Sequence, residues 1–260
     1  MVAIILAAGY ATRLQQYTTN TPKALLKIGE KTMLDHILDK FANVPQFTKI
    51  ALVSNHKFYL NFTEWFEVRK KDWDRAFINN VGGKLIILND GTVSEETRRG
   101  AIGDIAFAVE ELELDEEAMI IAGDNFFTFR LSDFYEFYKQ KNADCVVVKR
   151  IGNKEVLKTV GVAVVADGNR VTEFEEKPNE PKSDLAVYAT YLYRRDTLPL
   201  FRKYLDDGNP KDAPGNFPAW LCKRRPVYAY EFDGECYDVG TPEAYKSLRD
   251  MYGNKNNDNS

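Results

Sequence analysis

A chain of 260 residues, 44% apolar and 28% charged, has an ordinary globular composition and is long enough for one large α/β domain. Its net charge of −4 excludes a general nucleic-acid binder while leaving room for a local basic pocket. No stretch is apolar for long enough to span a membrane, and the start lacks the basic segment and cleavage site of a secretory signal, so a cytoplasmic protein without membrane or nucleic-acid partners is expected.

Residues 2–8 are an unbroken apolar run ending at Gly9, which predicts a strand buried on both faces, as in parallel sheets. Short apolar runs at 50–53, 85–88, 119–122 and 145–148 predict further strands. Between them, Met33, Ile37, Leu38 and Phe41 share one helical face, as do Ile102, Ile105, Val109 and Leu112. Thr92-Val93-Ser94-Glu95 has the form of a capping box ahead of the second helix. Ser132 is the expected cap of a helix carrying Phe134, Phe137 and Tyr138. Strands alternating with helices imply right-handed crossovers and a mostly parallel sheet. From about residue 149 the pattern changes. Residues 160–165, 170–175, 186–193 and 227–232 read as strands with less helix between them, a mixed-sheet region. Thr241-Pro242-Glu243 opens a last helix, and 253–260 is polar and asparagine-rich, an expected disordered tail. Cys145, Cys222 and Cys236 are scattered and odd in number, and read as reduced core thiols.

Four segments carry chemistry. In the first, the opening strand leads into Ala7-Ala8-Gly9-Tyr10-Ala11-Thr12-Arg13, followed by Pro22-Lys23. Small residues let backbone N–H groups approach an anion, and the two cations add charge-assisted bonds to phosphate oxygens. A tight turn with two surface cations is the equal alternative. The second is Ala122-Gly123-Asp124-Asn125, a carboxylate just beyond a buried strand, where open α/β sheets bind ligands. One or two carboxylates plus substrate phosphates commonly hold Mg²⁺; a plain Asp-Asn turn is the alternative. In the third, Glu175-Glu176-Lys177-Pro178, a lysine offers a point charge to phosphate and a carboxylate accepts bonds from hydroxyls; such a stretch is also an ordinary solvated loop. The fourth, Tyr237-Asp238-Val239-Gly240, adds a second acid before a capped helix. Gly100 and Gly103 fall inside a predicted helix, and Gly161 inside a predicted strand. Each marks close approach of a ligand or of another part of the chain.

Taken in order and spacing, LAAGYATRL, PKALL, AGDN, EKP and YDVGTPEAY resemble the sugar-phosphate nucleotidyltransferase family over nearly the whole chain. The resemblance implies a Rossmann-like, mostly parallel mixed sheet flanked by helices, forming a single nucleotidyltransferase domain over residues 1–252. Its nucleotide-binding part would run to about residue 130 and its sugar-binding part from there. It implies that Ala8, Gly9 and Arg13 cradle a nucleoside triphosphate, with Lys23 also on phosphate. Asp124 and Asp238 would hold Mg²⁺. Lys177 would grip the phosphate of a sugar 1-phosphate, Glu176 would bond its hydroxyls and Gly161 would offer its N–H. Asn89 and Gly100 would meet the nucleobase. The implied reaction transfers a nucleotidyl group, from dTTP or UTP by preference, to a sugar 1-phosphate, glucose 1-phosphate by preference. The alternatives are a CTP-dependent enzyme acting on phosphocholine and an inactive nucleotide-sensing module.

Three departures from the family pattern stand out. Ala11 replaces a second loop glycine, a small loss if the backbone there is not left-handed. Tyr188-Ala189 replaces a threonine-glycine pair, and Tyr188 is placed to narrow a sugar pocket. The stretch Asn89-Asp90-Gly91-Thr92 replaces a glutamine-proline base loop. The chain is also shorter than thymidylyltransferases of this family, so a homo-oligomer is left open.

Overall fold

The computed structural model describes residues 1–44 and 46–253. In chain order the elements are β1 (Val2–Leu6), α1 (Gln15–Thr18), β2 (Lys27–Ile28), β3 (Lys31–Thr32), α2 (Met33–Phe41), β4 (Lys49–Ser54), α3 (Tyr59–Arg69), α4 (Arg75–Asn80) and β5 (Leu85–Asn89). They continue with α5 (Ala101–Glu111), β6 (Ala118–Ala122), β7 (Asn125–Phe127), α6 (Leu131–Lys141), β8 (Asp144–Arg150), α7 (Lys154–Leu157), β9 (Gly161–Ala166), β10 (Arg170–Glu176) and β11 (Leu185–Tyr193). The last are α8 (Leu200–Asp206), α9 (Asn216–Leu221), β12 (Val227–Glu231), β13 (Cys236–Asp238) and α10 (Pro242–Gly253). Gly253 closes α10, and the rest of the expected disordered tail, 254–260, lies outside the described residues. Among the described residues no helix is long and apolar enough to cross a membrane.

Every apolar run became a strand. Burial explains why: Ile4 and Ile5 in β1, Ile50 to Val53 in β4 and Met119 to Ile121 in β6 are shut away from solvent. The chain forms two compact units interleaved in sequence. Among the described residues the first holds 3–98, 122–128 and 235–253; the second holds 1–2, 99–121 and 129–234. A single cut near residue 130 therefore does not separate them.

In the first unit the strands lie in the order β5-β4-β1. β4 and β5 run parallel, with Ile50 opposite Leu85 and Ser54 opposite Asn89. α2 buries Met33, Leu34, Ile37, Leu38 and Phe41, and it starts with a reciprocal box in which Thr32 and Asp35 cap each other. Asp35 is buried, yet it is fully used: it accepts from the Thr32 N–H at 2.8 Å, the Thr32 hydroxyl at 2.7 Å and Arg69 Nε at 2.9 Å. α3 and α4 were not legible as helices. They are tied by Trp65, Phe66, Trp73 and Phe77, whose rings meet at centroid distances of 5.1 to 6.2 Å.

The second unit has the order β6-β11-β8-β12-β10-β9, with β9 also pairing back onto β11. β11 runs antiparallel to β6 and β8, β10 runs antiparallel to β9, and β12 runs parallel to β8, so the sheet is mixed. Phe201 of α8 and Phe217 of α9 stack at 3.7 Å beneath Tyr193, which explains two short helices that carry no strong periodic signal. The buried Asp144 accepts from the Arg194 N–H at 2.8 Å and from the Thr197 hydroxyl at 2.8 and 2.9 Å. Burial still pushes its carboxyl up to about 6 against these bonds.

Two expected caps are corrected. Thr92 opens no helix: its hydroxyl donates to both oxygens of Asp90, at 2.8 and 2.9 Å, and α5 begins only at Ala101 after Gly100. The local Asp90 carboxylate outcompetes the capping geometry. Ser132 likewise lies inside α6, whose cap is Arg130, and its hydroxyl contacts Asp133 at 3.2 Å. Thr241 does cap α10, accepting from the Ala244 N–H at 3.2 Å. The three cysteines are free thiols.

Candidate active site

The first unit contains a cavity of about 300 Å³ walled by the loop that follows β1. That loop is held from beneath. The Ala7 N–H donates to Val53 at 2.9 Å, and the buried Asn55 donates through Nδ2 to the Ala8 carbonyl at 2.9 Å. Farther on, the Thr18 hydroxyl donates to the Ala11 carbonyl at 3.0 Å. Gly9 has open space where a Cβ would stand. Ala11 has φ of 51°, inside the left-handed region, so the condition under which alanine would cost little is not met. Arg13 follows in a short turn at residues 12–14, is exposed, and lines the cavity.

Asp124 lines the cavity, and strand register brings Asp238, itself outside the lining, next to it. β7 and β13 pair antiparallel with Asn125 opposite Asp238, and the Val239 N–H donates to the Asp124 carbonyl at 3.2 Å. Gly123 is needed where the chain crosses Leu6: a Cβ there would lie 2.9 Å from the Leu6 carbonyl oxygen. Lys23 Nζ sits between the two acids, 2.7 Å from Asp124 Oδ2 and 3.5 Å from Asp238 Oδ1. Crowding by surrounding protein, and then the neighbouring Asp124, push the Asp238 carboxyl above its ordinary value; Lys23 and Arg13 pull it back. Two carboxylates thus converge on one ammonium; among the described residues no group of three or more His, Cys, Asp or Glu side chains is placed to hold a metal ion.

Sequence reasoning missed Glu95 and Arg98. They form an ion pair and line the same cavity. The capping-box pattern had assigned Glu95 to a helix start, and nothing in the spacing marks the pair as part of a site. Asn55 was also missed; a buried asparagine just after an apolar strand is the signal that could have found it.

Asn89, at the end of β5, accepts from the Gly91 N–H at 2.9 Å and meets His56 Nδ1 through Nδ2 at 3.0 Å. It is not among the cavity-lining residues. His36 contacts the Ile28 carbonyl at 3.0 Å and packs edge-on against Phe126, a structural role.

The second unit contains the remaining sequence-derived residues. Glu176 and Gly161 are register partners on β10 and β9, and the Lys177 N–H closes that ladder on the Val160 carbonyl at 3.1 Å. Lys177 has φ of 50°, a left-handed conformation in a residue other than glycine. Burial raises the Glu176 carboxyl above its ordinary value, with the Lys177 ammonium opposing. Gly100 is the residue before α5, with φ of 78°; a Cβ there would lie 2.7 Å from the Lys211 carbonyl oxygen. Packing inside its own unit thus accounts for that glycine without a nucleobase. Tyr188 is half-buried, packs on Leu157, Val162 and Ala186, and meets Phe232 edge-on.

Comparison with known proteins gives a consistent picture. The family model described as nucleotidyl transferase matches residues 2–254. A glucose-1-phosphate adenylyltransferase from Acetivibrio thermocellus is 28% identical over 256 residues, covering 94% of this chain and 58% of that protein. The same enzyme from Fusobacterium nucleatum is 27% identical, covering 94% of this chain and 65% of its own length. The chain thus spans about six tenths of these curated relatives. A Bacillus anthracis protein described as a glucose-1-phosphate thymidylyltransferase superposes with a TM-score of 0.79 at 21% identity, covering 98% of this chain and 96% of that one. A UDP-glucose pyrophosphorylase complexed with UDP-glucose gives 0.80 at 20% identity, covering 96% and 97%. At these identities the two structures establish the shared α/β fold.

Proposed function

The chain belongs to the nucleotidyl transferase family, and from that premise we propose that it joins a sugar 1-phosphate to a nucleoside triphosphate, releasing pyrophosphate. The observation that carries the reading is the cluster of Lys23, Asp124 and Asp238, whose first two members line the cavity that Arg13 and the loop after β1 also wall. In this reading the triphosphate occupies that cavity, with the loop N–H groups near Gly9 and the Arg13 guanidinium on its phosphates. Lys177 takes the phosphate of the sugar phosphate, and Glu176 accepts from its hydroxyls.

The reaction is an attack by a sugar-phosphate oxygen on the α-phosphorus. Two polyanions must meet, so catalysis is mainly positioning and charge neutralisation. The attacking phosphate is already ionised at neutral pH, so no general base is required and neither histidine is assigned a catalytic role. Mg²⁺ fits the Asp124–Asp238 pair, where a cationic nitrogen already contacts both acids, and it would supply neutralisation of phosphate charge. Glucose 1-phosphate is the leading acceptor, because the relatives described above are named for glucose compounds. ATP joins dTTP and UTP as a leading donor, because the curated relatives are adenylyltransferases.

The test is pyrophosphate release with Mg²⁺ across nucleoside triphosphates, set against several hexose 1-phosphates and phosphocholine. Release confined to one triphosphate and one sugar phosphate supports the reading. Release only with CTP and phosphocholine replaces it, and a silent grid refutes it. Arg13→Ala and Asp238→Asn should each lower turnover by about 100-fold while the melting temperature holds. Wild-type turnover in either variant removes that residue from the proposal.

A further inference from the structure

We propose that Gly215 is a positioning residue of the sugar subsite: its missing side chain makes the slot in which the Glu176 carboxylate stands. This deepens the reading of Glu176 as the acceptor for sugar hydroxyls and rests on it. Gly215 is the residue just before α9 and has φ of −67° and ψ of −17°, a conformation any residue adopts. Backbone geometry therefore gives no reason for glycine. Space does. A Cβ at Gly215 would stand 2.0 Å from Glu176 Oε2 and 3.0 Å from its Cδ. A Cβ at Gly161 would stand 3.0 Å from the same Oε2 and 3.0 Å from Phe174 Cζ. Two glycines from separate segments, with the Phe174 ring, thus enclose one carboxylate oxygen.

Among the described residues that carboxylate takes part in no hydrogen bond; its only charged neighbour of consequence is Lys177. A half-buried acid without a protein donor is a costly arrangement unless a ligand supplies the donor. A hexose hydroxyl is a donor of the right kind, and the paired glycines determine where it must come. Plain packing around α9 would also place a small residue at 215. The two explanations part at alanine. Its backbone fits, and the obstructing atom is the end of a flexible side chain, so Gly215→Ala should fold normally and move the carboxylate by roughly 1 Å.

The experiment is steady-state kinetics on the full chain with glucose 1-phosphate as the varied substrate, for Gly215→Ala, Glu176→Ala and the double variant. Gly215→Ala should raise the KM for glucose 1-phosphate about tenfold or more, leave the KM for the triphosphate within about twofold, and leave thermal unfolding unchanged. In the Glu176→Ala background the same substitution should add nothing, because no carboxylate remains to be displaced. An equal effect of Gly215→Ala in both backgrounds overturns the proposal, since residue 215 would then obstruct the sugar directly. So does a large effect of Glu176→Ala with none from Gly215→Ala, or a Gly215→Ala protein that fails to fold. If Glu176→Ala itself leaves the sugar-phosphate KM unchanged, the reading of the subsite fails first, and the proposal with it.

Discussion

Lys23 stands where a metal ion is proposed to bind, and removing its charge should expose that overlap. Its side chain is 14% exposed, against 40% for Asp124 and 62% for Asp238, so the ammonium is the sheltered member of a partly wet trio. An exposed ion pair is worth about 0–1 kcal/mol. Here one cation contacts two acids, and Lys23→Ala leaves those acids facing each other with only the more remote Arg13 to offset them. The expected loss is about 1–2 kcal/mol, which for a chain of this size lowers the melting temperature by about 2–8 °C. The assay is thermal unfolding followed with a dye, in EDTA and then at rising Mg²⁺. Wild type should respond weakly to metal without nucleotide, because its own ammonium holds the site. Lys23→Ala should recover stability as Mg²⁺ rises, since a ligand that binds only the folded state stabilises it by mass action. Adding Asp124→Asn to Lys23→Ala should restore stability in EDTA and abolish the metal response. Equal Mg²⁺ shifts in wild type and Lys23→Ala, or a neutral Lys23→Ala in EDTA, would refute the place-holder reasoning.

Asp144 makes stability depend on pH. Its folded value of about 6 lies above its ordinary 3.8, so between those values the folded state holds a proton that the unfolded chain has released. Stability from this group is therefore complete below about pH 4 and lost as pH rises to about 6, a change of about 3 kcal/mol. Asp144→Asn should lack that slope in urea unfolding between pH 4 and 6.5, and parallel profiles would contradict it. Ala11→Gly should raise stability by about 0.5–1 kcal/mol, because glycine adopts φ of 51° without the Cβ penalty. A lower melting temperature for Ala11→Gly would show that the left-handed conformation is not what alanine pays for.

The elements legible in the sequence were those whose signal is local. A strand buried on both faces must be a run of apolar residues, and β1, β4, β5, β6 and β8 announced themselves in that way. The Thr241-Pro242 start of α10 is equally local. The elements that escaped depend on contacts distant in the chain. α8 and α9 are seven and six residues long, too short to repeat a helical pattern, and are held by the stack of Phe201 on Phe217. The false capping box failed for a different, local reason: the Thr92 N–H and hydroxyl both donate to Asp90, two residues back, and its oxygen accepts from the Tyr10 hydroxyl rather than from a helix N–H. At the site, the identities of Arg13, Lys23, Asp124 and Asp238 could be suspected from residue type. Their convergence could not, because it depends on the three-residue strands β7 and β13 finding one register. Arg98 lay outside any motif and Glu95 only inside the false capping box, so both entered through the cavity they share.

The backbone adds an argument that no motif contains. Among the described residues, five other than glycine have positive φ: Ala11, Glu113, Asn142, Asn169 and Lys177. The asparagines adopt that region at small cost. Glu113 follows the end of α5, where a left-handed residue commonly closes a helix. Ala11 and Lys177 have neither excuse. Pro178 does not supply one for Lys177, since a following proline steers its predecessor toward extended conformations. Each residue costs roughly 1–2 kcal/mol in this conformation and is retained by surrounding structure. For Ala11 the surroundings include the Thr18 hydroxyl on its carbonyl; for Lys177 they include the Val160 carbonyl on its N–H. The two strained positions fall in the two segments proposed to hold phosphate, one just before Arg13 and the other at the lysine itself. Strain at such places is what a site costs when it must aim a cation at a fixed point, and a loop free to relax would not keep it.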